Sequence, residues 1–144
     1  MVNDISGLRE VYGDQFIMKA AEAVLFDKYK RGAELTSPKA MGDYFKCAMS
    51  YKDREQLMVV LLDVKNRVID KKILFKGTLS ETAVYPREIV RYALLNNAGS
   101  CALCHNHPSG SAYPSEADKQ ITKRVKQALD LIDVRLLRST VLIL

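Results

Sequence analysis

The sequence predicts an α/β (α+β) fold in which a central, largely buried sheet carries helices on both faces and is preceded by a helical N-terminal arm. Three observations lead there. Several stretches repeat apolar residues at helical spacing, one short run is apolar without interruption, and helical and strand-like segments alternate along the chain.

From Asp14 to about Arg31, Phe16, Ile17, Ala20, Ala21, Val24 and Leu25 recur at helical spacing between Lys19, Glu22 and Lys28, which predicts an amphipathic helix stopped by Gly32. Ser37 then offers an N-cap and Pro38 suits a first helical position, so a second helix should run to roughly Met49 with Met41, Tyr44, Phe45 and Ala48 inward. Leu57 to Leu62 is continuously apolar, as expected of a strand buried on both faces. Asp63-Val64-Lys65-Asn66 supplies turn residues and Val68 to Phe75 a partner strand, so the pair reads as a hairpin. After a connector at Gly77 to Tyr85, Pro86 opens a helix with Ile89, Val90, Ala93 and Leu94 on its apolar face, ended by Asn96-Asn97-Ala98-Gly99. Ser100 to Asn106 forms a short strand cut off by Pro108, and a loop leads to a helix from Ser115 to about Leu131 on Ile121, Val125, Ala128, Leu129 and Ile132. Val134 to Leu144 reads as a last strand.

At 144 residues the chain has room for one core. Hydrophobic residues make up 48% and charged residues 27%, with 7 Gly and 4 Pro, a globular balance without low-complexity tracts. No apolar run approaches the roughly 20 residues of a membrane helix and the N-terminus lacks the order of a signal peptide, so the expected compartment is the cytoplasm, with no membrane partner. Cys47, Cys101 and Cys104 are an odd number without an export signal, which argues for reduced thiols. The net charge of +5 is compatible with nucleic-acid contact and equally with a solvated surface.

Chemistry concentrates in His105-Asn106-His107-Pro108-Ser109-Gly110 through Ser115-Glu116-Ala117-Asp118, which holds both histidines of the protein. On a strand His105 and His107 share a face while Asn106 points away. Asp118, in the first turn of the next helix, can fold back over the strand end. Three protein ligands with a fourth position left to water is the pattern of a catalytic zinc site. Taken alone, Ser115-x-x-Asp118 reads instead as a capping box, and the histidines as surface groups. Cys101-Ala102-Leu103-Cys104 invites a metal or redox reading, but residues three apart on a strand face opposite sides. Cys101 would share the face of His105 and Cys104 would enter the other layer. Lys119, Lys123, Arg124 and Lys126 make the last helix basic, which a solvated face explains.

His-x-His-Pro followed by Ser-x-x-Asp resembles the JAMM (JAB/MPN) metalloproteases, and the fuller His-Asn-His-Pro-Ser-Gly with Pro-Ser-x-x-Asp resembles their RadC-like branch. The likeness extends through Leu61 to Arg67 and Pro86-Arg87-Glu88, from about Ser37 to Leu137. It implies a helix-flanked mixed sheet of JAB/MPN type at 36–144 behind a helical arm at 1–35. It implies Zn2+ on His105, His107 and Asp118, and Glu55 as general base, with Glu88 and Glu81 as the alternatives. It also implies Ser115 as a hydrogen-bond donor to the oxyanion, a task its N-cap role allows only if the hydroxyl is shared or reoriented. The activity implied is hydrolysis of a peptide or isopeptide bond, with a peptide or protein substrate.

Longer RadC-like chains carry a helix-hairpin-helix region for DNA, so here DNA association is expected to be weak. The rival reading is a DNA-repair-associated or DNA-binding factor whose metal site is structural or inactive. A nuclease suggested by the letters His-Asn-His is a coincidence of spelling. Ser111-Ala112-Tyr113 departs from the usual Asp-Pro-Thr, and Arg138-Ser139-Thr140 stands where Asp-His is usual. The short C-terminal end suggests an incomplete edge strand that could weaken activity or promote homo-oligomers.

Overall fold

A computed structural model describes residues 5–30, 32–35, 37–49, 54–76, 84–107 and 115–143. Its elements run α1 (Ser6–Tyr12), α2 (Asp14–Lys30), α3 (Pro38–Met49), β1 (Gln56–Leu62), β2 (Val68–Lys76), α4 (Pro86–Leu95), β3 (Ser100–His107), α5 (Glu116–Asp130) and β4 (Arg135–Ile143). The four strands form one mixed sheet in the order β2-β1-β3-β4. β1 is antiparallel to both β2 and β3, and β3 is parallel to β4.

The two central strands explain the uninterrupted apolar run. Every residue of β1 and β3 is buried. Met58, Val60, Leu62, Ala102 and Cys104 join Met41, Tyr44, Phe45 and Tyr29 in one core, and Leu57, Val59, Leu61, Cys101 and Leu103 join Ile89, Ile121, Val125 and Leu129 in the other. Alternation along each strand thus delivers successive side chains to opposite layers, α2 and α3 on one face and α4 and α5 on the other.

Local chemistry sets the boundaries. The Ser37 hydroxyl accepts from the Ala40 amide at 2.9 Å, capping α3 as expected. In the β1–β2 hairpin, Asp63 Oδ1 accepts from the Lys65 and Arg67 amides, and Asn66 takes a left-handed φ of 59° that asparagine tolerates better than most residues.

Three expectations need correcting. The N-terminal arm, helical as expected, also contains a short helix, α1; the inward face of α2 keeps Ile17, Ala21 and Leu25 of the expected residues but not Phe16, Ala20 and Val24. Phe16 and Val24 are exposed, while Tyr29 is buried with Leu25 and Phe26 packed beside it, because the covered stripe of α2 runs through 17, 21, 25 and 29 and leaves 16, 20 and 24 outside it. On α4, Leu94 is likewise exposed and Tyr92 takes an inward place, its hydroxyl donating to Asp70 at 2.8 Å. Finally, β4 is not an incomplete strand beside β3: it pairs along all of it, from Ser100↔Arg135 to His107↔Ile143, which supports the histidines from their outer side. Among the described residues no helix is long and apolar enough to cross a membrane. The connector with Glu81, the loop at 108–114 with Ser111-Ala112-Tyr113, and the side chains of Arg138-Ser139-Thr140 lie outside the described residues.

Candidate metal centre

The site lies where β3 ends. His105 and His107 sit two residues apart, and their rings meet edge to face with centroids 4.7 Å apart. Both residues are 5% exposed, so the imidazoles are presented inside the protein rather than on a surface. The segment leading into β1 brings the third group. Leu57 pairs with His105, so continuing the antiparallel register sets Glu55 across from His107 on the same face. One donor atom from each of Glu55, His105 and His107 lies within 4.8 Å of the others, a cluster able to hold a metal ion.

Asp118 arrives from α5. Its Oδ1 is 2.6 Å from His105 Nδ1 and its Oδ2 is 3.0 Å from His107 Nε2. Ser115 fixes it: the Ser115 amide and hydroxyl both donate to Asp118 Oδ2, at 2.6 and 2.8 Å, and the Ser115 hydroxyl accepts from the Asp118 amide. This is a complete capping box, so the capping and chelating readings of Ser115-x-x-Asp118 describe the same residues. The cap that starts the helix also aims its carboxylate at the histidines.

The electrostatics follow from burial and these contacts. Burial alone would push the Asp118 carboxyl up, but the Ser115 hydrogen bonds and both imidazoles outweigh it and hold it below the ordinary value. Burial holds the His105 imidazole below its ordinary value despite the Asp118 carboxylate beside it. At neutral pH the pair is therefore a carboxylate and a neutral imidazole. With Nδ1–H donating to Asp118, the ring leaves Nε2 as a lone-pair acceptor. That Nε2 is buried and has no hydrogen-bond partner among the described residues. An orphaned buried acceptor of this kind costs about 1–3 kcal/mol, and a metal ion is a partner that removes the cost. Two imidazoles and two carboxylates form the nitrogen and oxygen donor set that zinc takes, so the residues present fit the ion.

Of the residues predicted from sequence, Glu55, His105, His107, Asp118 and Ser115 are brought together here. Glu88, on the exposed side of α4, is not part of the cluster. Cys101 packs in the α4/α5 layer and Cys104 in the α2/α3 layer, as strand alternation requires. Burial pushes the Cys101 thiol up to about 12 and Cys104 higher still, which makes both poor thiolate ligands.

The model of the RadC-like JAB domain matches residues 35–143, most of the chain. The chain belongs to the RadC-like JAB domain family. Its relatives include a UPF0758 protein of Vibrio cholerae, 44% identical over 126 residues that cover 88% of this chain and 80% of that protein. A UPF0758 protein of Janthinobacterium sp. (strain Marseille) is 48% identical over 123 residues, 85% of this chain and 55% of that protein, and one of Thiobacillus denitrificans is 45% identical over the same shares. This RadC-like chain thus spans little more than half the length of most of the curated relatives it matches. The match covers every residue of the centre, from Glu55 just before β1 to Asp118 on α5.

Proposed function

We propose that this RadC-like chain is a zinc-dependent hydrolase of amide bonds in peptide or isopeptide substrates. The observation that carries the proposal is the gathering of Glu55, His105 and His107 donors within 4.8 Å at a strand end, with the Asp118 carboxylate on both imidazoles. His105, His107 and Asp118 would hold the ion. When bound, zinc supplies a Lewis acid and a water acidified to a pKa of about 7. Glu55 takes a proton from the attacking water on its carboxylate and returns it to the leaving amine. Asp118 keeps the His105 ring oriented, burial keeps that ring neutral, and Ser115 keeps Asp118 in place. The Ser115 hydroxyl proton is committed to Asp118 Oδ2, so a role at the oxyanion requires that hydroxyl to rotate.

Metal analysis of the purified protein followed by a peptide-library cleavage screen tests the proposal. About one zinc per chain is expected, lost in His107→Ala and in Asp118→Ala, because two remaining ligands hold zinc poorly against solvent. Full occupancy in either variant would sink the ligand assignment, and a zinc-loaded protein that cleaves nothing would favour a structural metal.

One observation supports a second ligand set. Both Asp118 oxygens already have partners within 3.0 Å, whereas Glu55 lies in the metal-competent cluster. In that reading Glu55 is the third ligand and Asp118 orients His105 from behind. Loss of zinc in Glu55→Gln with retention in Asp118→Asn would select it. DNA association finds less support, since on α5 Lys119 and Lys126 are paired with Glu116 and Asp130.

A further inference from the structure

We propose that Asn106, the residue between the two histidines, is a positioning residue that clamps the backbone on both sides of Glu55 and so sets where its carboxylate stands. Asn106 is fully buried. Strand alternation turns it away from the imidazoles, toward the face that holds Ala102 and Cys104. A buried amide on an otherwise apolar face needs partners, and it has two: its Oδ1 accepts from the Gln56 amide at 2.7 Å and its Nδ2 donates to the Arg54 carbonyl at 3.0 Å. These are the backbone groups immediately before and after Glu55.

The register shows why a side chain is used. The pairing of β1 with β3 ends at Leu57↔His105, so on that side the chain at 54–56 runs beyond the ladder, although Gln56 still pairs with Lys76 of β2. Asn106 continues the connection by side chain. Because it is flanked by His105 and His107, the same three residues of β3 present the imidazoles on one face and, through the other, fix the segment that carries Glu55. Two hydrogen bonds to one rigid amide leave that segment little freedom to swing Glu55 away from the histidines.

The inference rests on the reading that Glu55 works at the histidine pair, but its test is separable from catalysis. In the metal-free wild-type protein, hydrogen exchange should find the Gln56 amide, which donates to Asn106 beyond the last β1–β3 pair, protected like the interior of β1. A Gln56 amide that exchanges at the rate of an open chain overturns the clamp, whatever the variants do. Asn106→Leu keeps the volume and removes both hydrogen bonds. Its crystal structure should show Glu55 displaced from the histidines while Asp118 still contacts His105, and its zinc content should stay near that of wild type if Asp118 is the third ligand. An undisplaced Glu55 in that variant overturns the proposal. With a cleavable peptide in hand, Asn106→Leu should lower kcat on the order of 10²-fold with little change in KM, the scale of a misplaced catalytic group. The same substitution in a Glu55→Gln background should add almost nothing, whereas a merely structural role would give additive losses. Absence of any peptidase activity in wild type would count against the hydrolase reading and leave the exchange and structural outcomes to decide the clamp.

Discussion

Glu55 and Asp118 are both carboxylates beside the histidines, yet their surroundings differ. Asp118 accepts two hydrogen bonds from Ser115 and contacts two imidazoles, while Glu55 stands on the segment just before β1. If Glu55 is the base, Glu55→Gln keeps shape and zinc but loses at least ~100-fold in hydrolysis, the usual scale for a positioned general base. Turnover at the wild-type rate in a zinc-loaded Glu55→Gln protein would return the role to Glu88 or Glu81. The titration of the centre also reaches folding. Asp118 is held below the ordinary value, so its stabilisation is complete above the unfolded value of about 3.9 and is lost as pH falls through the folded one. His105 is also held low, so the folded protein prefers the neutral ring and begins to lose stability as pH falls below about 6.5. Both groups bind more protons when unfolded, and the signs agree. Urea midpoints of the metal-free protein should fall from pH 7 to pH 4, and the fall should be shallower in Asp118→Asn; equal slopes would remove Asp118 from the account.

Helix ends and strand junctions carry the next level of control. Ser115 both starts α5 and orients Asp118, so Ser115→Ala should cost ~1 kcal/mol of stability through the lost cap and weaken zinc binding as well. A stability loss with unchanged zinc affinity would show that the cap is only a cap. Gly99 occupies another junction. Its amide donates to the Leu62 carbonyl and its carbonyl accepts from the Arg135 amide, tying β3's entry to β1 and β4. A Cβ there would meet Val64 Cγ1 at 2.9 Å and the Val64 backbone at 3.0 and 3.1 Å. Gly99→Ala should therefore destabilise by about 1–3 kcal/mol, the scale of overpacking, because backbone cannot give way as a side chain tip can. A melting curve superimposable on wild type would refute the contact. Within β3, Cys104→Ser should leave zinc content unchanged, since Cys104 packs in the layer away from the site; stoichiometric loss of metal would revive Cys-x-x-Cys as a ligand pair.

Across the molecule, the two layers make one structure of the sheet and the later half of α2. Tyr29 is buried with Tyr44, Phe45 and Met58, and Glu22 forms an ion pair with Lys71 of β2. Tyr29→Ala should lower the midpoint of a single cooperative unfolding transition by an amount equivalent to about 3–5 kcal/mol, the range for large aromatic truncations in cores. An unchanged transition for the sheet, with α2 melting separately, would mean that the arm does not share the core. The start of the arm is different in kind: α1 buries no residue, and Tyr12 stacks on Phe16 with both exposed.

Much of this protein could be read before its fold was seen, because the decisive signals were local. The continuous apolar run of β1, the Ser37-Pro38 start of α3, the turn at Asp63 and the His-x-His spacing each depend on a few neighbouring residues and on fixed strand or helix periods. The grouping of His105, His107 and Asp118 was legible for the same reason, since a strand end, a loop and a helix start are consecutive in sequence. The rest required distance in the chain to be converted into proximity. Periodicity could not say which edge of the α2 stripe would be covered, so it included Phe16 and Val24 beside Ile17, Ala21 and Leu25 and left Tyr29 out. Spacing alone could not bring Glu55 to the histidines, because fifty residues separate them and only the β1–β3 register closes that gap. Asn106 left one sign in the sequence, a polar residue facing a core layer, but its partners at Arg54 and Gln56 exist only once β1 lies against β3. The sequence determined the donor types and their local spacing; strand pairing decided which of them meet, because hydrogen-bond register is set by the packing of whole layers and not by any short segment.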